Sequence, residues 1–174
     1  DTVRHLEDAG ASTIVLRSPF EEQLIQEGLA THESIEKPAE PFAEALSYLP
    51  SNEAFVLGPD EYLEQLRRIK EAVSVPVIAS LNGATPGGWL EYAKQMQDAG
   101  ADALELNVYF LATDPAQTGE KLVQRTVEMV AAVKKAVSVP VAVKLSPYYT
   151  SLANVAKRLD DAGVDGVVLF NRFY

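Results

Sequence analysis

Lys144 closes an apolar run, VPVAVKLSP at 139–147, in which small and branched residues lead to a single ammonium and a proline ends the stretch. An unpaired charge is costly in an apolar core. A lysine there belongs at a strand end that opens on a site, or beside a partner. Other apolar runs end in the same polar punctuation: Arg17 with Ser18, Ser80 with Asn82, Glu105 with Asn107, and Asn171 with Arg172. Amides offer donors and acceptors together, which suits the edge of a flat, polar heterocycle. A lysine beside them can stabilise developing negative charge. No histidine–carboxylate dyad joins the set, so it reads as a ring-holding site more than a hydrolytic one. His5 and His32 stand too far apart to make a metal site.

The elements that must position these residues alternate. A helix over 3–10 precedes a strand over 13–18. From Asp60, a plausible N-cap, a helix runs over 61–73, with Leu63, Leu66, Ile69 and Ala72 on one face. Strands are expected at 75–82, 102–108, 139–145 and 165–171, and helices at 87–99, 120–136 and 151–162. The lysine strand reads as buried on both faces. Alternation at these lengths implies parallel strands joined by right-handed crossovers. Residues 19–59 are irregular. Short helices at 21–29 and 42–48 are interrupted by Pro38 and Pro41, and the stretch has the length of a lid or subdomain.

An internal repeat sharpens this. AVSVPV occurs at 72–77 and again at 136–141, 64 residues on; DAGAD at 98–102 returns as DAGVD at 161–165, 63 residues on. A third DAG closes the first helix at 8–10. Repeated βαβα units with such helix ends are typical of a (β/α)8 TIM barrel, in one domain spanning 1–174. A doubly wound sheet is the weaker fit, because no glycine-rich phosphate fingerprint follows any strand. Five strands are present where a barrel has eight, so one strand is expected before Asp1 and two after Tyr174.

Composition narrows the classes of function. The 174 residues carry a net charge of -10, which argues against nucleic-acid or anionic-membrane partners. Absence of cysteine excludes disulfides, thiolate metal sites and cysteine nucleophiles. No apolar run has a membrane helix's length and no signal peptide is visible, so a cytoplasmic setting is the simplest expectation.

Taken together, ELN at 105–107, VKLSP at 143–147 and the later Asn171 resemble the class 1 dihydroorotate dehydrogenases and their flavin-dependent relatives. The resemblance covers nearly the whole chain and implies an FMN-binding barrel, an oxidoreductase acting on CH–CH groups and a homodimer or larger assembly. It places Asn107 and Asn171 against the isoalloxazine or the substrate. Lys144 would lie at the pyrimidine end of the flavin, where it would stabilise the reduced anion. Arg17 and Ser18 fall where the family has Lys-Ser, and Ser80 and Asn82 line the next strand end. Phe110 and Ala112 stand where members with orotate chemistry carry a Cys or Ser base and an asparagine, so a different substrate is expected.

Blander readings stand beside these. Lys144 also fits a salt bridge to Glu105 across neighbouring strands. Asn107 fits a cap of its own loop, and Asn82 with Gly83 an ordinary turn. His5 fits the surface, and Trp89 and Tyr92 fit packing. Tyr109, Phe110, Tyr148 and Tyr149 follow strand ends and would wall a ring-shaped pocket. Two other functions share the fold: a lyase or aldolase using Lys144 as a Schiff base, and a non-catalytic ligand-binding barrel.

Overall fold

The computed structural model describes residues 2–18, 59–82, 86–108 and 114–170. The irregular stretch, apart from Pro59, lies outside them, with its two expected helices and His32. So do Tyr109, Phe110, Ala112 and Asn171. The described elements in chain order are α1 (Thr2–Asp8), β1 (Ile14–Val15), α2 (Pro59–Ala72), β2 (Val77–Leu81), α3 (Pro86–Asp98), β3 (Ala103–Asn107), α4 (Gly119–Ala136), β4 (Val141–Leu145), α5 (Leu152–Asp161) and β5 (Gly166–Leu169). The strands form one sheet in the order β1-β2-β3-β4-β5, every neighbouring pair parallel.

Alternate residues face opposite sides of a strand, and this sequence separates the two sides. Val77, Ala79, Leu81, Leu104, Leu106, Val141, Val143 and Leu145 form one face, and all are fully buried. Against that face pack Leu66, Ile69, Trp89, Ala93, Met96, Met129, Val130, Val133, Val155 and Leu159 from the helices. The opposite face carries Ile78, Ser80, Glu105, Asn107, Ala142, Lys144 and Val168. Ser80 lies level with Glu105, and Asn107 with Lys144. Burial in β4 therefore alternates, and the strand is not closed on both faces as its apolar run suggests. Ala142 and Lys144 are on the face that the helices leave uncovered.

Three helix ends repeat one device. Gly10, Gly100 and Gly163 take positive φ of 94°, 98° and 87°. Each donates its N–H three residues back, to Glu7, Gln97 and Asp160, and the next residue donates five back, to Leu6, Met96 and Leu159. The left-handed turn favours glycine, which accounts for the repeated DAG.

Element boundaries differ from the sequence expectation for local reasons. α2 starts at Pro59, so Asp60 is in the first turn and is not the N-cap. Proline's fixed φ suits the first helical position, where its missing N–H costs nothing. β2 and β4 begin after Pro76 and Pro140, which have no N–H to offer the ladder. β1 is only two residues long. Beyond the bond from Leu16 N–H to Ile78 O, the β1-facing N–H and C=O of Ser80 bond to the Tyr62 hydroxyl instead, at 3.3 and 3.4 Å.

Candidate functional site

At the carboxyl ends of the strands, five side chains form one hydrogen-bonded chain. Lys144 Nζ in β4 donates to Glu105 Oε1 in β3 at 3.2 Å. Ser80 Oγ in β2 donates to the same carboxylate oxygen at 3.1 Å. Ser80 Oγ lies 2.6 Å from Ser18 Oγ, just past β1. Ser18 Oγ accepts from Asn107 Nδ2 at 3.2 Å. The chain thus runs across four strand ends and returns to β3 two residues beyond Glu105.

The register explains why these residues meet. Ser80 and Glu105 face each other directly, while Lys144 is opposite Asn107 and reaches diagonally back to Glu105. Glu105 is 6% exposed. A carboxylate so enclosed needs its charge and lone pairs met, and the lysine and serine do that. Lys144 keeps a quarter of its side chain exposed, so a cation remains available beside the chain. The salt bridge that offers the bland account of Lys144 is therefore present, and it is also part of the site.

Ser18, Ser80, Asn107 and Lys144, four of the seven residues singled out in the sequence, are brought together. Asn82 follows β2 and is partly buried outside the network, and Arg17 is exposed. Asn171 is outside the described residues. Tyr148 is 77% exposed. Tyr149 packs against the helix-side core beside Thr126 of α4. Burial pushes its hydroxyl up, with the Thr126 side chain acting the other way. Tyr149 therefore does not wall a pocket on the polar face. His5 is exposed on α1, and Trp89 is a core residue at 1% exposure.

Two contributors are not among the seven residues singled out as site residues. Glu105 enters the sequence reading as strand-end punctuation, within ELN and as a salt-bridge partner of Lys144, but not as a binding residue. Tyr62, which anchors the Ser80 backbone, looks in the sequence like any aromatic on a helix face. Its burial pushes the phenol up to about 12, with the Ser80 backbone bond acting the other way. It is a neutral anchor.

Asn107 Oδ1 is buried and has no hydrogen-bond partner among the described residues. A buried carbonyl oxygen without a donor is costly, so a donor from a bound molecule would relieve it. A free acceptor, a lysine with a quarter of its side chain exposed and two hydroxyls fit the edge of a ring that carries both N–H and C=O groups, as FMN does. Among the described residues no group of His, Cys, Asp or Glu could hold a metal ion, and no helix is long and apolar enough to cross a membrane.

A parallel sheet with helices packed on one face and a polar site at the strands' carboxyl ends defines a (β/α)8-barrel protein. Solved barrels share the fold. A dihydrodipicolinate synthase from Acinetobacter baumannii complexed with pyruvate superposes with a TM-score of 0.59 at 20% identity, over 95% of this chain and 46% of that one. A phosphonopyruvate hydrolase complexed with oxalate and Mg²⁺ gives 0.60 at 17%, over 98% and 55%.

The sequence places the chain more closely: it belongs to the dihydroorotate dehydrogenase family, whose sequence model matches residues 54–173. The catalytic subunit of a dihydroorotate dehydrogenase B (NAD(+)) from Methanocaldococcus jannaschii is 35% identical over 118 residues, 66% of this chain and 38% of that protein. The corresponding subunit from Geobacillus kaustophilus is 36% identical over 120 residues, 66% and 37%. A dihydroorotate dehydrogenase A (fumarate) from Lactobacillus delbrueckii subsp. bulgaricus is 32% identical over 120 residues, 66% and 38%. The chain spans under two fifths of the length of these relatives. The family is one of FMN-dependent oxidoreductases.

Proposed function

We propose that the protein is an FMN-dependent oxidoreductase that removes hydride and a proton from a CH–CH bond of a small ring substrate. The observation that carries this reading is the chain from Lys144 to Asn107, with the free Asn107 Oδ1 at its end, at the strand ends of a chain from this family. FMN, when bound, supplies the acceptor for the two electrons that leave the substrate as hydride. Ser18, Ser80, Asn107 and Lys144 are the described residues that would hold it. Lys144 keeps a positive charge beside the site, where it favours negative charge as it develops. Glu105 holds that lysine in place, and Asn107 orients a ring edge. Arg17, Asn82 and Asn171 would complete the lining.

Oxidation of a CH–CH bond also releases a proton, which needs a base. Phe110 stands where the family resemblance puts a Cys or Ser base, and a phenyl ring takes no proton. This supports a substrate other than dihydroorotate. The Schiff-base alternative for Lys144 gains no support from its surroundings. Its nitrogen is held in an ion pair, whereas a nucleophilic lysine needs an apolar pocket or a neighbouring cation.

Spectroscopy of the full-length protein, with FMN added where none is retained, tests the reading. Visible flavin absorbance that bleaches anaerobically with substrate, and bleaches far less in Lys144→Ala, is the expected result. A protein that takes up no FMN would sink it, and borohydride trapping on Lys144 with a carbonyl compound would then be tried.

A further inference from the structure

We propose that Glu105 sets the direction of every hydrogen bond from Lys144 to Asn107, so that Asn107 presents a carbonyl oxygen and the site selects a ring bearing an N–H donor. The inference rests on the ring-binding role proposed for this site and names the polarity it reads.

A carboxylate paired with an ammonium only accepts. Ser80 therefore spends its one hydroxyl hydrogen on Glu105 Oε1, 3.1 Å away. The contact between Ser80 Oγ and Ser18 Oγ, at 2.6 Å, has no direction of its own, since either hydroxyl can donate. With the Ser80 hydrogen committed, Ser18 must donate to Ser80. Ser18 has then spent its own hydrogen and faces Asn107 as an acceptor. The Asn107 group turned to Ser18 must be the NH₂ end, which places Nδ2 at 3.2 Å from Ser18 Oγ. Oδ1 is left over, buried and unpartnered among the described residues. A ring atom meeting Asn107 there must supply an N–H. An analogue methylated at that nitrogen loses the bond, adds bulk and leaves the oxygen stranded.

Replacing Glu105 by glutamine keeps the direction: Lys144 and Ser80 both bond Oε1, and an amide turned the other way would set its NH₂ against the ammonium. Replacing it by leucine fills the space and removes the acceptor. Ser80 is then free to donate to Ser18, Ser18 to donate onward, and Asn107 to turn its oxygen inward and offer NH₂ to the ligand.

Two readouts test this in the full-length protein. The first needs no ligand: the Asn107 side-chain amide signals in ¹H–¹⁵N spectra should shift in Glu105→Leu and in Ser80→Ala. The serine variant cuts the chain without touching the ion pair, so it keeps the test open if Glu105→Leu folds poorly. The second compares affinity for FMN with N3-methyl-FMN, and for orotate with its N1- and N3-methyl derivatives. The wild-type protein should prefer at least one parent by at least about tenfold, and that preference should shrink about tenfold in both variants. Amide signals that stay in place would overturn the proposal. So would a preference that both variants keep while all affinities fall together, since that is what a merely structural Glu105 would give. If neither FMN nor orotate binds the wild-type protein, the oxidoreductase reading fails, and the amide signals still decide the orientation.

Discussion

Asp102 and Asp165 occupy the same place in successive repeats and make the same two bonds. Asp102 Oδ2 accepts from Lys70 Nζ and from the Val77 N–H, both at 2.6 Å. Asp165 Oδ2 accepts from Lys134 Nζ and, at 2.8 Å, from the Val141 N–H. Each aspartate ties the start of the preceding strand to the helix before it. A second clip repeats beside the first. Glu7 Oε1 holds the Ser74 N–H at 2.8 Å, and Gln97 Oε1 holds the Ser138 N–H at 2.6 Å. All four lie at the end of the sheet away from the polar site. In a barrel that end serves stability and the other end chemistry.

The clips should make stability sensitive to acid. For Asp102, burial raises the carboxyl, but the Lys70 bond, the Val77 N–H and the Lys70 charge outweigh it and hold the group below the ordinary range. For Asp165, the Lys134 bond and then the Val141 N–H lower it. The Ser74 hydroxyl and N–H lower Glu7. A carboxyl depressed in the folded state contributes stability that is present above its unfolded pKa, about 3.9 for aspartate, and is lost as pH falls through the folded value. Denaturant unfolding should show stability declining below about pH 5, more steeply than in an Asp102→Asn/Asp165→Asn variant. Equal slopes would mean that the clips carry no proton linkage.

The positive φ at Gly100 and Gly163 predicts a position-specific alanine penalty. A Cβ at Gly100 meets only Lys70 Cγ at 3.8 Å, ordinary contact, so crowding is not the obstacle. The cost is conformational, about 1–2 kcal/mol for each position. Gly119, which opens α4 with nothing within 4 Å of its Cβ and no positive φ, is the internal control. Gly119→Ala should be neutral or slightly stabilising. Thermal unfolding of the three single variants checks the order.

How much of this could be read from the chain depended on range. The strand–helix alternation, the repeat and the glycine ends lie within segments of about ten to twenty residues, where periodicity and DAG speak directly. The short β1 did not show. Its pairing ends because Tyr62, on α2, takes the Ser80 backbone groups, and no local signal marks one aromatic on a helix face for that task. The polar residues at strand ends were visible one by one, but their connection was not. Asn107 meets Ser18 across 89 positions of sequence, and only the register of four parallel strands brings them together. Tyr149 shows the opposite failure. A residue just past a strand can turn to either side of the sheet, and this one turned to Thr126.

Removing the cation should cost stability as well as function. Lys144→Ala leaves Glu105, 6% exposed, with Ser80 as its remaining partner in the network. Part of the loss is offset because the lysine itself is a quarter exposed, so about 1–3 kcal/mol is expected. Adding Glu105→Gln removes the stranded charge. The double variant should therefore recover part of the loss, giving a coupling of about 0.5–3 kcal/mol in a double-mutant cycle. Strict additivity in chemical unfolding would show that the ion pair contributes nothing net.

Tyr62→Phe isolates one hydroxyl that stands in for a strand partner. The ring is 4% exposed and phenylalanine fills the same space, so packing is preserved. The change leaves the Ser80 N–H and C=O without the partner at 3.3 and 3.4 Å that replaces β1. A stranded buried polar group costs about 1–3 kcal/mol, and these long bonds place the expected loss toward the lower end. Hydrogen exchange should report it locally. The Ser80 amide should lose protection, while Leu104 and Leu106 inside the ladder should keep theirs. The alkaline limb of stability should change too. A phenol raised by burial to about 12 contributes stability that is complete below its unfolded value, about 10, and is lost as pH rises through the folded one. Tyr62→Phe should remove that share of the decline above about pH 10. Unchanged Ser80 exchange in the variant would mean that β1 or water pairs with Ser80 as readily as the tyrosine does, and that the Ser80 side chain is positioned without it.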